Sequence, residues 1–104
     1  ATALLVVNKK FPKTRSAMNI KYQNSSISKI KKLKLTVSSY DRTDEPSDIK
    51  NKGSTVEWGI KNAIKKLQDP PDIIFHKGGF GKEPMIIVFG DTPKITLNKL
   101  LKIV

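Results

Sequence analysis

The stretch DIIFHKGGFGKEPMIIVFG, Asp72 to Gly90, decides how this chain is read. Asp72–His76 and Met85–Phe89 are short, nearly continuous apolar runs rich in β-branched residues. That is the pattern of central strands covered on both faces. The first run ends on the only histidine, His76, and between the runs stand the glycines Gly78, Gly79 and Gly81 and Lys82-Glu83-Pro84. Glycines permit positive φ and close approach of a ligand to backbone N–H groups, and Lys82 adds a cation beside them. Such a segment suits a phosphate or pyrophosphate. A glycine-rich hairpin with Lys82 in solvent fits the residues equally well. It is no Walker loop, because Gly81-Lys82 is followed by Glu83-Pro84 instead of Ser or Thr.

Upstream and downstream, helical and strand-like segments alternate, which predicts an α/β or α+β domain. Ala1 to about Lys10 reads as the end of a helix that begins upstream, closed by Phe11-Pro12. Ala17–Tyr22 alternates apolar and polar like a half-buried strand. Ser25 or Ser26 is expected to cap a short helix running to about Lys32, with Ile27 and Ile30 on one face. Leu33–Tyr40 is a second alternating, β-branched strand, and Asp41–Gly53 a polar loop. Thr55–Leu67 is an amphipathic helix that buries Val56, Ile60, Ala63, Ile64 and Leu67. Asp91 or Thr92 caps a last helix with Pro93 in its first turn, and Ile95, Leu97, Leu100, Leu101 and Ile103 provide its apolar surface.

The 104 residues fit one domain, taken here as 1–104, with one modest core. No segment approaches the ~20 apolar residues of a membrane span, and the apolar start lacks the basic region of a signal peptide. The first residue is not Met, so the chain reads as a piece of a longer polypeptide. Without cysteine there is no disulfide or Cys-based zinc site, and a cytoplasmic setting is the default. The net charge of +11 asks for an anionic partner. Nearly all of it is lysine; Arg15 and Arg42 are the only arginines. A dedicated nucleic-acid binder favours Arg for its planar fork, so nucleic acid ranks low and the two arginines gain interest.

Further candidates follow from position. In YDRTDEP, Tyr40 to Pro46, Asp41 and Arg42 emerge at a strand end, where ligands of open α/β sheets sit. Arg42 can grip a phosphate, and Asp41 and Glu45 are hard oxygen ligands for Mg²⁺. From the residues alone an acidic surface turn is the preferred reading. In RSAMNI, Arg15 precedes the first strand and Asn19 faces away from Met18 and Ile20. With both faces covered, Asn19 is expected to be buried, tying down a loop or contacting ligand. His76 reads first as a strand-end residue bonded to backbone, and second as a phosphate contact. Trp58 reads as a core or interface aromatic.

RSAMNIKY, YDRTDEP, STVEWG, PDIIFHKGGFGKEPM and FGDTP occur in the order seen in the archaeal-type thiamine-phosphate synthase domain, the ThiN family, which this chain resembles over almost its whole length. In that family the domain is often fused behind a phosphomethylpyrimidine kinase, and elsewhere behind a DNA-binding domain. The resemblance implies a three-layer α/β/α fold with a mixed sheet, similar to class II aldolase and the phosphomethylpyrimidine kinase C-terminal domain. It implies condensation of hydroxymethylpyrimidine pyrophosphate with hydroxyethylthiazole phosphate to thiamine phosphate, helped by Mg²⁺. Substrate and phosphate contacts are expected from Arg15, Asn19, Arg42, His76, Gly78, Gly79, Gly81 and Lys82, and metal contacts from Asp41 and Glu45. The family domain is longer than this chain. By the same resemblance its catalytic Arg and His lie ahead of Ala1, so 1–104 reads as the C-terminal portion, inactive alone, with no catalytic residue assigned. A thiamine-phosphate-sensing regulator is the alternative, a nucleic-acid binder the second alternative, and a homodimer is expected from the exposed half-sheet.

Overall fold

The computed structural model describes residues 2–41, 55–78 and 84–104. Among the described residues four helices and four strands follow in the order α1 (Thr2–Lys10), β1 (Ser16–Lys21), α2 (Asn24–Lys32), β2 (Val37–Ser39), α3 (Thr55–Ile64), β3 (Ile73–His76), β4 (Met85–Gly90) and α4 (Pro93–Leu101). The sheet order is β1-β4-β3-β2. β4 runs antiparallel to both neighbours, whereas β2 and β3 are parallel. Strands β1, β2 and β3 therefore point the same way, and their carboxyl ends share one side of the molecule.

The two apolar runs are central, as their composition predicts. Register pairs Ile73 with Val88, Ile74 with Ile87 and Phe75 with Ile86. Because successive side chains alternate faces, each run feeds two cores. Ile74, Ile87 and Phe89 meet Val6 and Val7 of α1 and Ile60 and Ile64 of α3. Ile73, Ile86 and Val88 meet Ile30 of α2 and Ile103 after α4. The chain thus adopts the expected three-layer α/β/α arrangement with a mixed sheet. Each fully buried Ile contributes about 1.5–3 kcal/mol, against roughly 0–1 for an exposed ion pair, so the two sheet faces hold the fold.

The amino end of β3 is latched by polar contacts. Thr36 N–H donates to Asp72 Oδ2 at 2.8 Å. Lys99 Nζ donates to Asp72 Oδ1 at 2.6 Å and to the Phe89 carbonyl at 2.9 Å. One lysine of α4 thereby ties β3 and β4 together. Lys10 Nζ donates to the Ile64 and Lys65 carbonyls at 2.8 and 3.2 Å, a cation on the carbonyl-rich end of α3.

Four expectations are corrected. Helix α2 starts at Asn24 with Gln23 as its cap and no side-chain cap bond, so Ser25 and Ser26 lie inside it. Strand β2 covers only Val37–Ser39: the Leu33 N–H bonds back to Ile30 and Lys29, and Lys34 takes φ 54, which breaks any extension from Leu33. In α3, Val56 is 40% exposed, because it lies in the first turn beside an open cavity. In α4, Thr92 caps as predicted, accepting from Ile95 N–H at 3.1 Å. The helix buries Thr96, however, while Ile95, Leu97 and Leu101 are exposed. The Thr96 hydroxyl donates to the Thr92 carbonyl at 2.9 Å, which lets a polar side chain sit in that interface.

Lys99→Ala is expected to destabilise the fold by about 1–2 kcal/mol, since Asp72 and Phe89 lose a charged donor. Urea unfolding checks it against Lys61→Ala, whose exposed partner Glu57 lies at 3.0 Å and whose loss leaves the midpoint unchanged.

Candidate functional site

At the carboxyl ends of β1, β2 and β3 the face that carries α1 and α3 is not filled by the described residues. A cavity of about 770 Å³ opens there, bounded by Thr2, Ala3 and Leu4 of α1, Ala17 and Asn19 of β1, Tyr40, Val56, His76, Met85 and Ile87. Strand register explains the lining. Ala17 opposes Phe89, Asn19 opposes Ile87 and His76 opposes Met85, all on the same face. A second cavity of about 420 Å³ lies beside it, lined by Ser39, Tyr40, Asp41, Asn62, Phe75, Lys77 and Gly78. Open α/β sheets bind ligands at this end of their strands.

Tyr40 is the wall shared by both cavities. It follows β2, and its N–H donates to the Phe75 carbonyl at 3.3 Å. Its ring stands edge-on to Trp58, centroids 6.4 Å apart, and tilted against His76 at 5.1 Å. A Cβ at Gly59 would run into that ring, so α3 approaches Tyr40 closely only because residue 59 is glycine. Trp58 is half-buried against the core, as expected.

His76 is buried, and its Nδ1 accepts the Gly78 N–H at 3.1 Å. Gly78 takes φ 85, the left-handed region that favours glycine. Nδ1 as acceptor sets the neutral tautomer with the proton on Nε2. The Gly78 amide is therefore turned to His76 and is not presented to a phosphate, which removes it from the expected nest. Asp41 is exposed on the second cavity. Asn19 is exposed on the first, not buried, because neither α1 nor α3 covers that end of β1. Arg15 is brought to none of these residues. Its N–H donates to the Gly90 carbonyl at the other end of the sheet, roughly 20 Å of strand from Lys21. Arg42, Glu45, Gly79, Gly81 and Lys82 lie outside the described residues.

Tyr40, Asn62, Lys77 and Met85 line the cavities without having been singled out from the sequence. Tyr40 and Lys77 had a signal, since each adjoins a candidate at a strand end; Asn62 is one exposed helix residue among several. Among the described residues no three His, Cys, Asp or Glu side chains gather as a metal site. Glu57, on the outer side of α3, has its carboxyl held below the usual range by its hydrogen bond and charge pairing with Lys61.

Comparison with known proteins places this architecture. The family profile described as Thiamine-phosphate synthase ThiN matches residues 1–102. The chain belongs to the ThiN family. It is similar to Thiamine-phosphate synthase ThiN of Methanothermobacter thermautotrophicus, 42% identical over 91 residues, covering 86% of this chain and 48% of that protein. It is 48% identical over 90 residues to the Bifunctional thiamine biosynthesis protein ThiDN of Methanocaldococcus jannaschii, covering 86% of this chain and 20% of that protein. A solved C-terminal domain of a phosphomethylpyrimidine kinase superposes with TM-score 0.91 at 43% identity, over 100% of this chain and 59% of that one. The chain thus spans half or less of the curated relatives it matches, and the match to ThiN family members includes both cavities. No helix among the described residues is long and apolar enough to cross a membrane.

Nitrogen NMR of the His76 ring at neutral pH is expected to show Nε2 protonated and Nδ1 bare. Two protonated nitrogens would contradict the Gly78–His76 bond.

Proposed function

We propose that the chain supplies the C-terminal part of a thiamine-phosphate synthase that joins hydroxymethylpyrimidine pyrophosphate to hydroxyethylthiazole phosphate. The observation that carries this reading is the ThiN family match over residues 1–102, in a chain whose cavities open at the carboxyl ends of its parallel-running strands. Both curated relatives are named for thiamine synthesis, and neither name points to a regulator or to nucleic acid. A cytoplasmic setting belongs to the same proposal.

In the reaction the pyrimidine methylene carbon loses pyrophosphate, which leaves with the bonding electron pair, and the thiazole nitrogen forms the new C–N bond. Cationic character develops on the carbon while negative charge grows on the leaving group. Preorganised charge in a sheltered site is the means of lowering such a barrier. Lys77, on the second cavity, provides a cation for the leaving pyrophosphate. Arg42 and Lys82 remain proposed partners of the same phosphates. Tyr40 and Met85 give the first cavity apolar walls.

Asp41 is a hard oxygen donor on the second cavity. One carboxylate together with substrate phosphates is a usual way of holding Mg²⁺, so this position fits that ion. When bound, Mg²⁺ supplies charge neutralisation on the pyrophosphate.

Calorimetric titration with thiamine phosphate tests the proposal, on the chain and on any longer protein that carries it. Saturable binding is expected, weakened about three- to tenfold by Lys77→Ala, the scale of one partly exposed charge contact. No binding of thiamine phosphate or either substrate by the longer protein would overturn the synthase reading.

A further inference from the structure

We infer that Asn19 reads the aminopyrimidine ring, and that the larger cavity is the pyrimidine pocket of this site; the inference rests on the synthase reading above. Asn19 sits in the middle of a strand, where asparagine is disfavoured and a β-branched residue packs better. Its side chain lies in a floor otherwise made by Ala17, Met85 and Ile87, with Tyr40 as a wall. It is exposed, and among the described residues no hydrogen bond engages its amide. Nothing in the packing of the fold requires a carboxamide there.

A carboxamide presents one acceptor and one donor side by side. The pyrimidine substrate carries the complementary edge, an amino group next to a ring nitrogen. This is the pairing by which asparagine selects adenine, two hydrogen bonds in one plane. The thiazole substrate has a ring nitrogen but no adjacent donor, so it can use only half of the amide. The cavity, at about 770 Å³, has the size of a small-molecule site. Its Met85 thioether and Tyr40 ring are the kind of surface on which a flat heterocycle rests.

The neighbouring cavity fixes the orientation. It shares Tyr40 with the first and carries Lys77 and Asp41. A pyrimidine held by Asn19 with its pyrophosphate directed past Tyr40 brings the leaving group to that charged side. The reacting methylene then lies between the two cavities, open to the thiazole nitrogen.

Titration calorimetry of the unsubstituted protein, Asn19→Ala and Asn19→Asp decides the matter. The probes are hydroxymethylpyrimidine pyrophosphate, its analogue with hydrogen in place of the amino group, and inorganic pyrophosphate. Asn19→Ala is expected to weaken the aminopyrimidine roughly 10- to 100-fold while leaving inorganic pyrophosphate within about twofold. The des-amino analogue keeps the ring nitrogen and can use only half of the amide, so Asn19→Ala is expected to weaken it clearly less than the aminopyrimidine. Asn19→Asp, similar in shape but unable to donate to the ring nitrogen, is expected to lose as much as alanine, with an unchanged melting temperature as the control for folding. Equal losses for all three probes, or none with alanine, would overturn the inference while the unsubstituted protein's binding of the substrate keeps the synthase reading. A longer protein carrying this chain that binds none of the three would overturn both.

Discussion

Everything in this fold is arranged around β4, a strand that runs against both of its neighbours and is buried on both faces. Ile87 and Phe89 enter one core, Ile86 and Val88 the other. A one-residue slip would exchange the two sets and leave both helical layers without their partners. Because β4 is antiparallel to β1 and to β3, those two strands point the same way, and β2 follows β3 in parallel. Three carboxyl ends are thereby collected on one side. The site is a consequence of that polarity, not of any single motif.

The two ends of the sheet have different physics. At one end polar groups close on each other: Asp72 is satisfied by Thr36 and Lys99, Lys99 also by Phe89, and the Arg15 backbone by Gly90. At the other end α1 and α3 do not cover the end of β1, and Asn19, Asp41 and Lys77 line the two cavities. The half-buried Lys99–Asp72 pair is held by two further hydrogen bonds, Thr36 N–H on Asp72 and Lys99 on the Phe89 carbonyl, so removing Lys99 undoes more than one ion pair. Such a pair is well suited to pinning one end while the opposite end stays open. The surplus of lysine on the surface adds a positive field that favours phosphorylated ligands over neutral ones.

Much of this was legible in the residues. The unbroken apolar character of Ile73–Phe75 and Met85–Phe89 announced central strands, and Thr92-Pro93 announced the start of α4. Position relative to strand ends pointed to Asp41, His76 and Gly78. What escaped depended on tertiary geometry. Asn19 was expected to be buried because strand periodicity says which face a residue is on, but not how far the helix above that face extends. Arg15 drew interest by scarcity, and only the register of β1 with β4 shows that it belongs to the far end. Tyr40 looked like an ordinary strand residue; its place between two cavities depends on the close approach of α3 at Gly59. Lys34 ends the run from Leu33 with a left-handed turn that alternation of polar and apolar residues does not encode.

The proposed function puts the ligand at the carboxyl ends of β1, β2 and β3. An amide chemical-shift map of the protein titrated with thiamine phosphate tests it most directly. Binding at these ends is expected to gather the large perturbations at Asn19, Tyr40, Asp41, Lys77 and Met85 while Arg15, Asp72 and Gly90 stay still. Perturbations centred on Arg15 and Gly90, with the carboxyl ends unmoved, would contradict it.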